Sequence, residues 1–121
     1  MTEYAVLLPG DESVWEDMSA DDRAATYARH EAFSKALEER GHKITGGAEL
    51  THSRTARTLR RRGDQIAMTD GPYAETVEQL SGFYLVETDD LDDLMECCKL
   101  LAATGDAVEV RRTVSAEERA S

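Results

Sequence analysis

Two stretches of the chain carry apolar residues at every third or fourth position, and this spacing predicts two amphipathic helices. The first helix begins at a cap formed by Ser19, runs for about 20 residues to Arg40 and stops at Gly41. The second helix follows Asp89, its expected cap, and stops at Gly105. The core-facing side of the first helix is predicted to carry Tyr27, His30, Phe33, Ser34 and Leu37. This pattern places a histidine among the buried positions.

Shorter runs of apolar and β-branched residues, separated by turns that contain glycine or proline, predict the strands. The strands are expected at residues 4–8, 43–50, 56–62, 65–69, 82–88 and 107–113. Gly46 and Gly47 indicate that the second of these is a bulged or edge strand. The Gly63-Asp64 pair favours a tight hairpin between the third and fourth strands, and this hairpin ends at Asp70.

The order of these elements is that of a ferredoxin-like α+β fold, with an antiparallel sheet and both helices on one face. Residues 1–114 form this single domain, and the charged residues 115–121 are expected to fray as a flexible tail. An acidic loop around Trp15 joins the first strand to the first helix. Apolar residues occupy consecutive positions in 4–8 and 83–86, so the second face of the sheet must also be buried. We therefore expect a homodimer packed sheet against sheet.

The composition fits one small domain and argues against several kinds of partner. The 121 residues are 40% hydrophobic, which is enough for one modest core, and they carry a formal net charge of −11. Such a charge opposes binding to nucleic-acid phosphates and to anionic membranes. No apolar run approaches the length of a membrane span, and the N-terminus lacks the pattern of a signal peptide. The sequence therefore predicts a cytoplasmic protein without nucleic-acid or membrane partners.

The cysteines and histidines do not follow the spacing of a known metal or cofactor motif. Cys97 and Cys98 are adjacent, which fits neither a C-x-x-C site nor a disulfide between the two. We expect Cys98 to be a small core residue and Cys97 to be incidental. His30, His42 and His52 are scattered along the chain, and it contains no glycine-rich phosphate loop. The expectation is a protein with no metal and no cofactor.

The most specific local signal is an Asp-Gly-Pro turn within residues 69–76, TDGPYAET, followed by residues 78–87, EQLSGFYLVE. Glycine and proline favour the turn, and the aspartate can accept hydrogen bonds from the amides that follow it. Together these runs resemble the signature of the DGPF group within the YCII-related family, with Tyr73 where that motif usually has Phe. The resemblance extends over most of the chain and implies a dimeric α+β barrel.

His30 and Asp70 are the candidate catalytic residues. Histidine titrates near neutral pH, and a carboxylate bonded to one ring nitrogen raises the basicity of the other. The resemblance implies the same pair, because similar proteins carry a histidine in the middle of the first helix and an acidic residue proposed to act with it. We expect Arg57, Glu75 and Tyr84 to contact a small anionic or aromatic ligand.

Each of these residues also has a structural alternative. For His30 the alternative is a core histidine bonded to a backbone carbonyl, and for Asp70 it is a carboxylate that caps the turn. Glu75 is alternatively a solvated loop residue, and Tyr84 a residue of the core. Arg60 is an alternative to Arg57 as the residue that binds an anionic group.

Two functions from different classes are consistent with this site. The first is a cofactor-independent lyase or isomerase acting on a small polar organic acid or phenol, in which His30 moves a proton and Asp70 orients it. The resemblance supports it, because similar folds include muconolactone isomerases and a YCII-like dehydrochlorinase of chlorinated hydroxyquinol breakdown. The second is a non-catalytic small-ligand sensor or regulatory binding module, since DGPF-type genes commonly lie beside those of extracytoplasmic-function sigma factors.

Overall fold

A computed structural model describes residues 1–103 and 105–121 of the protein. Its strands are β1 (Thr2–Asp11), β2 (Lys43–Glu49), β3 (Arg57–Arg62), β4 (Gln65–Asp70), β5 (Glu78–Thr88) and β6 (Glu109–Arg112). Its helices are α1 (Glu12–Asp17), α2 (Ala20–Glu39), α3 (Leu91–Ala102) and α4 (Ala116–Ala120), with a short 3₁₀ turn at Ser53–Thr55. None of the helices in these residues has the length and apolar character needed to cross a membrane.

The sheet confirms the predicted α+β class. Four strands pair in the order β2-β5-β1-β6, and every neighbouring pair is antiparallel. This is the strand order of the predicted ferredoxin-like plan. Strand β1 lies in the interior of the sheet and pairs with β5 from Thr2 opposite Thr88 to Asp11 opposite Glu78, with one shift in register after Leu8. The apolar runs that predicted these two strands are therefore next to each other.

The core lies between the sheet and the two long helices. Val6 of β1 and Val86 of β5 are fully buried against Phe33 and Leu37 of α2. Helix α3 closes the same layer with Leu94, Cys97, Cys98 and Leu101, each no more than 5% exposed. Both helices therefore cover one face of the sheet, as predicted. Cys98 is the small core residue that the sequence indicates, but the expectation that Cys97 is incidental is wrong, because Cys97 is 2% exposed.

Helix α2 begins and ends where the sequence places it. The Ser19 hydroxyl accepts a hydrogen bond from the Asp22 amide at 3.1 Å. At the other end Gly41 adopts a φ of 83°, and the His42 amide donates to the carbonyl of Leu37 at 2.9 Å. This is a Schellman motif, in which a residue past the helix satisfies a carbonyl of its last turn. It fixes His42 against the end of α2.

Two short helices replace a predicted loop and a predicted tail. Asp11 caps α1 by accepting a hydrogen bond from the Ser13 amide at 2.9 Å, so the acidic segment around Trp15 is helical. Ser115 caps α4 in a reciprocal capping box with Glu118, in residues where the sequence indicates fraying. Neither helix buries a residue completely. Hydrogen bonds at their N-termini, which an apolar pattern does not reveal, define both helices.

The boundaries of β5 and α3 also differ from the prediction. Strand β5 begins at Glu78 and not at Gly82, because the polar residues before Gly82 pair with the last residues of β1. The cap of α3 is Asp90 and not Asp89, since the Asp90 carboxylate accepts from the Asp93 amide at 3.0 Å. Thr88 is the last residue of β5 and is 2% exposed. It therefore joins the end of β5 to the start of α3 inside the core.

The glycines of β2 have the consequences expected of a bulged edge strand. Strand β2 is the outer neighbour of β5, and its register shifts between Ile44 and Gly46. Gly47 has a φ of 148°, and a Cβ atom at this position would lie 2.5 Å from the carbonyl oxygen of Phe83. Only glycine allows the two backbones to approach this closely.

The β3–β4 hairpin forms a separate two-stranded sheet. Its register pairs Arg57 with Asp70 and Leu59 with Met68, as expected for a hairpin around Gly63. Both Leu59 and Met68 are at least 60% exposed. The hairpin therefore carries Asp70 outside the four-stranded sheet on which α2 packs.

Candidate functional site

A cavity of about 570 Å³ lies at the end of the sheet where β1 and β2 finish and β5 and β6 begin. Helices α1 and α2 and the 3₁₀ turn complete its walls. The apolar part of the lining includes Leu8, Trp15, Phe83 and Val108. Among its polar residues are both His30 and Tyr84, two of the residues singled out from the sequence. A cavity with an apolar lining and a few polar groups has the usual character of a small-molecule site.

His30 and Tyr84 are in direct contact at the wall of the cavity. The Nδ1 atom of His30 lies 2.7 Å from the Tyr84 hydroxyl oxygen, and the two rings stack with centroids 5.9 Å apart. The Tyr84 ring also packs on Phe33, with centroids at 5.1 Å. Because side chains alternate along a strand, Tyr84 faces α2 while Phe83 faces the other side of the sheet. Tyr84 therefore packs in the core, as its structural alternative predicted, and it presents its hydroxyl to the histidine.

Burial favours the neutral form of both partners. It lowers the pKa of His30, and the negative charge of Glu49 opposes this effect only in part. It raises the pKa of Tyr84, against the effect of a hydrogen bond from Ser34. At neutral pH the pair therefore consists of an uncharged imidazole and an uncharged phenol. A neutral imidazole can accept a proton.

His30 uses only one of its two ring nitrogens within the chain. Nδ1 is bonded to Tyr84, and His30 makes no other hydrogen bond or ion pair in the part of the chain that the structure describes. In that same part, no buried side-chain nitrogen or oxygen lacks a partner. Nε2 must therefore be accessible, and since His30 lines the cavity, a molecule bound there can reach it.

A carboxylate from β2 lies near the histidine. Glu49 lines the cavity and accepts a hydrogen bond from the Tyr27 hydroxyl, at 2.9 Å to Oε1 and 3.2 Å to Oε2. This bond is the largest reason why the pKa of Tyr27 is raised. The pair connects α2 to β2 within the lining of the cavity. Glu49 thus supplies a negative charge near His30, although the sequence pointed to a different acid.

The arginines around the cavity differ in how firmly they are held. The Arg23 guanidinium donates to the carbonyls of Trp15 and Glu16 at 2.9 to 3.1 Å, and Arg54 pairs with the Glu16 carboxylate. Arg29 makes no ion pair and no side-chain hydrogen bond with any described residue. It remains available to an anionic group of a ligand. No sequence pattern distinguishes Arg29 from the other lysines and arginines, which number fourteen in all.

Hydrogen bonds tie α1 to the 3₁₀ turn at the edge of the cavity. The Glu12 carboxylate accepts from the Ser53 amide at 2.6 Å and from the Ser53 hydroxyl at 2.5 Å. The Nε2 atom of His52 lies 3.2 Å from Glu16, and its Nδ1 atom accepts from the Arg54 amide at 3.0 Å. Both ring nitrogens of His52 are thus engaged. These bonds link segments about 40 residues apart, a distance that hides them from pattern analysis.

Asp70 and Glu75 lie in a second groove, of about 560 Å³, formed around the Asp-Gly-Pro turn. Gly71 has a φ of 105°, and its amide donates to the Ala56 carbonyl at 2.7 Å. Arg57 faces Asp70 across the hairpin and lines neither cavity. Within one chain the structure therefore brings His30 together with Tyr84 but leaves Asp70, Glu75 and Arg57 elsewhere.

Comparison with known proteins places this chain in a family. Residues 2–116 match the YCII-related domain. An uncharacterised protein of Rhizobium meliloti (strain 1021) is 35% identical over 99 residues, which cover 82% of this chain and 79% of that protein. The chain therefore belongs to the YCII-related family, as its Asp-Gly-Pro signature predicts. Neither comparison assigns a reaction or a ligand to this site.

Proposed function

We propose that the cavity binds a small organic molecule with an anionic or phenolic group and that His30 transfers a proton to or from it. The observation that carries the proposal is the bond between His30 and Tyr84, which leaves Nε2 accessible from the cavity. A general base must reach the proton that it removes and must be uncharged at the working pH. The lowered pKa of His30 supports the second requirement.

Tyr84 takes the orienting role that the sequence assigned to Asp70. For Nε2 to accept a proton, Nδ1 must carry the hydrogen and donate it to the Tyr84 oxygen. The phenolic oxygen of Tyr84 can accept this hydrogen bond, because it carries acceptor lone pairs as well as its own hydrogen. Once Nε2 is protonated, the charge of Glu49 stabilises the imidazolium, as it raises the pKa of His30. The same group can then return the proton at another position of the bound molecule.

Arg29 is proposed to recognise the charged group of the ligand. Arg29 lines the cavity, and its guanidinium has no partner among the described residues. The chain carries a net charge of −11, so a free cation inside this cavity would locally favour an anion. Arg57, the arginine predicted from the sequence, lines neither cavity. We therefore propose Arg29 for this role in place of Arg57.

Proton transfer can be tested without knowing the natural substrate. The experiment follows the exchange of carbon-bound hydrogen for deuterium in D₂O by NMR, with a panel of small lactones, phenols and aromatic carboxylates. We expect exchange above the buffer rate with at least one probe, and a loss of about 100-fold or more in His30→Gln. His52→Gln is the matched control, because His52 lines the same cavity but uses both ring nitrogens.

A non-catalytic ligand sensor is the alternative. Arg29, which has no side-chain partner among the described residues, supports it equally well. A sensor needs the cavity and the cation but not the proton acceptor. In this case probes such as benzoate bind to the protein, Arg29→Gln weakens their binding, and His30→Gln changes neither binding nor exchange. Exchange at the buffer rate with every probe that binds would rule out the proton-transfer proposal and favour the sensor.

We also propose that two copies pack through the open face of the sheet. Ala5 and Leu7 of β1 pair with Leu85 and Phe83 of β5, and by strand alternation all four point away from the helices. These residues form a continuous apolar strip, and none of them belongs to the core cluster beneath α2 and α3. Burial of this strip against a second copy removes apolar surface from water. This packing is the dimeric barrel expected from the sequence.

A further inference from the structure

A second group of reactive side chains lies outside the cavity, between the end of α2 and the first turns of α3. His42, Asp93 and Cys97 each present one ligand atom, and these three atoms lie within 4.8 Å of one another. His42 is 7% exposed and Cys97 is 2% exposed. Neither residue lines the cavity around His30. The proposed function therefore does not use this group, which we call the His42 cluster.

The fold holds the three residues in place by independent means. Asp93 and Cys97 are four positions apart on α3, so they lie on the same face of the helix. His42 comes from a different element, and the Schellman motif at the end of α2 fixes its backbone. Ligand atoms from two separate parts of the chain thus converge on one point, which a metal site requires.

Hydrogen bonds orient the His42 ring as they do in known metal sites. Its Nδ1 atom lies 2.7 Å from the Thr88 hydroxyl oxygen. That hydroxyl donates to the Asp90 carbonyl at 3.3 Å and accepts from the Asp90 amide at 2.9 Å, so it is left to accept from Nδ1–H. Nε2 then faces the Asp93 carboxylate at 2.6 Å. A histidine that ligates metal through one nitrogen typically donates the other N–H to such a partner.

The Asp93 carboxylate connects the cluster to solvent. Its Oδ1 atom is paired with the Arg40 guanidinium, and Oδ2 faces His42. The Asp93 side chain is 22% exposed, whereas the His42 side chain is 3% exposed. An ion can therefore enter from the side of Asp93, and a water molecule can complete its coordination there.

We propose that His42 Nε2, Asp93 Oδ2 and Cys97 Sγ bind a divalent ion of the zinc type. Imidazole, carboxylate and thiolate together suit Zn²⁺ or Co²⁺, whereas Mg²⁺ and Ca²⁺ prefer oxygen ligands alone. On binding, the Cys97 thiol releases its proton to water as the metal–sulfur bond forms, and the proton held between His42 Nε2 and Asp93 Oδ2 is released to water as the metal takes its place. For tetrahedral Zn²⁺ the Nε2 and Oδ2 atoms must separate to about 3.3 Å, which the partly exposed Asp93 can accommodate.

Co²⁺ gives the direct test, because a cobalt–thiolate bond absorbs in the near ultraviolet. The protein is reduced with a phosphine that does not bind metal and is then titrated with Co²⁺ alone. We expect a saturable thiolate band that Zn²⁺ abolishes by displacement, and its loss in Cys97→Ala. Cys98→Ala is the matched control, since Cys98 is equally buried and adjacent but lies outside the cluster. Circular dichroism of each variant confirms that it is folded.

A second variant tests the geometry without removing a ligand. Thr88→Val keeps the shape of the side chain but removes the hydroxyl that receives His42 Nδ1–H, and it should weaken Zn²⁺ binding by about 10-fold or more. Absence of a cobalt–thiolate band in the folded native protein would overturn the proposal. An equal band in Cys97→Ala would overturn it as well, since the metal would then be bound by another group.

Discussion

At the scale of single residues, the proposed proton transfer depends on the environment of His30. The sequence placed this histidine on the buried face of the first helix, and the structure confirms that position. Its helical spacing was sufficient for this prediction, because α2 is long and has clear start and stop signals. The hydrogen-bond partner of His30 could not be predicted in this way. Tyr84 was predicted as a ligand contact, and its bond to His30 joins positions 54 residues apart, which no local pattern encodes.

The sequence could not show whether Asp70 lies near His30 or far from it. The apolar pattern identified β3 and β4 but not whether the hairpin would join the main sheet. It forms its own two-stranded sheet and carries Asp70 into a separate groove. Glu49 and Arg29 were missed because isolated charged residues on a strand edge and a helix give no periodic signal.

The lowered pKa of His30 predicts a pH dependence of folding stability. Below about pH 6.5 the His30 side chain binds a proton in the unfolded chain, whereas in the native state it stays neutral to a lower pH. The contribution of neutral His30 to the free energy of unfolding is therefore complete above about pH 6.5 and is lost as the pH falls below it. Urea unfolding at about pH 7.5 and about pH 5.5 should show a larger loss of stability for the native protein than for His30→Gln. His52→Gln should retain the native difference. Equal losses in the native protein and His30→Gln would contradict the assignment.

At the scale of elements, the long helices and the apolar strands were predictable, and the short polar elements were not. Helix α3 and strands β1 and β5 bury apolar residues and have a strong hydrophobic pattern, whereas α2 buries Phe33 and Leu37 and is marked mainly by the caps at its ends. Helices α1 and α4 bury no residue and depend on caps at Asp11 and Ser115. The Ser115 to Glu118 spacing of a capping box was present in the sequence, but the lack of apolar residues favoured a tail.

The close approach of β2 to β5 gives a matched pair of predictions. Gly47→Ala should reduce the free energy of unfolding by about 2 kcal/mol or more, because its Cβ atom would meet the Phe83 carbonyl at 2.5 Å and its φ is positive. Gly46→Ala should change it by less than about 1 kcal/mol, since its Cβ atom meets only the Leu85 side chain at 3.4 Å. Urea unfolding measures both. Similar losses in the two variants would show that β2 does not approach β5 as described.

The His42 cluster could not be predicted from the helices and strands taken one at a time. Adjacent cysteines at positions 97 and 98 fit no metal motif, and the sequence indicated no metal. The cluster forms because one cysteine lies four positions after Asp93 while the histidine follows a different helix. Convergence of this kind depends on how α2 and α3 pack. It is therefore a property of the tertiary structure.

At the scale of the whole molecule, the proposed dimer rests on the apolar strip along β1 and β5. We predict that the native protein has about twice the 13.4 kDa mass of the chain in size-exclusion chromatography with light scattering. Leu85→Lys should shift it to the monomer, because the charge would be buried between the sheets. Leu59→Lys is the control, since Leu59 is 68% exposed on the separate hairpin. A monomeric native protein, or dissociation by Leu59→Lys alone, would contradict this packing.

The most direct test of the central claim is an NMR titration of the His30 imidazole in the native protein, Glu49→Gln and Asp70→Asn. We predict a native pKa below the ordinary 6.5, a further decrease in Glu49→Gln, and no change in Asp70→Asn. This result would show that His30 is a buried, neutral group set by the cavity around it. A native pKa at or above 6.5, or one that falls when Asp70 loses its charge, would contradict the account and restore the His30–Asp70 pair predicted from the sequence.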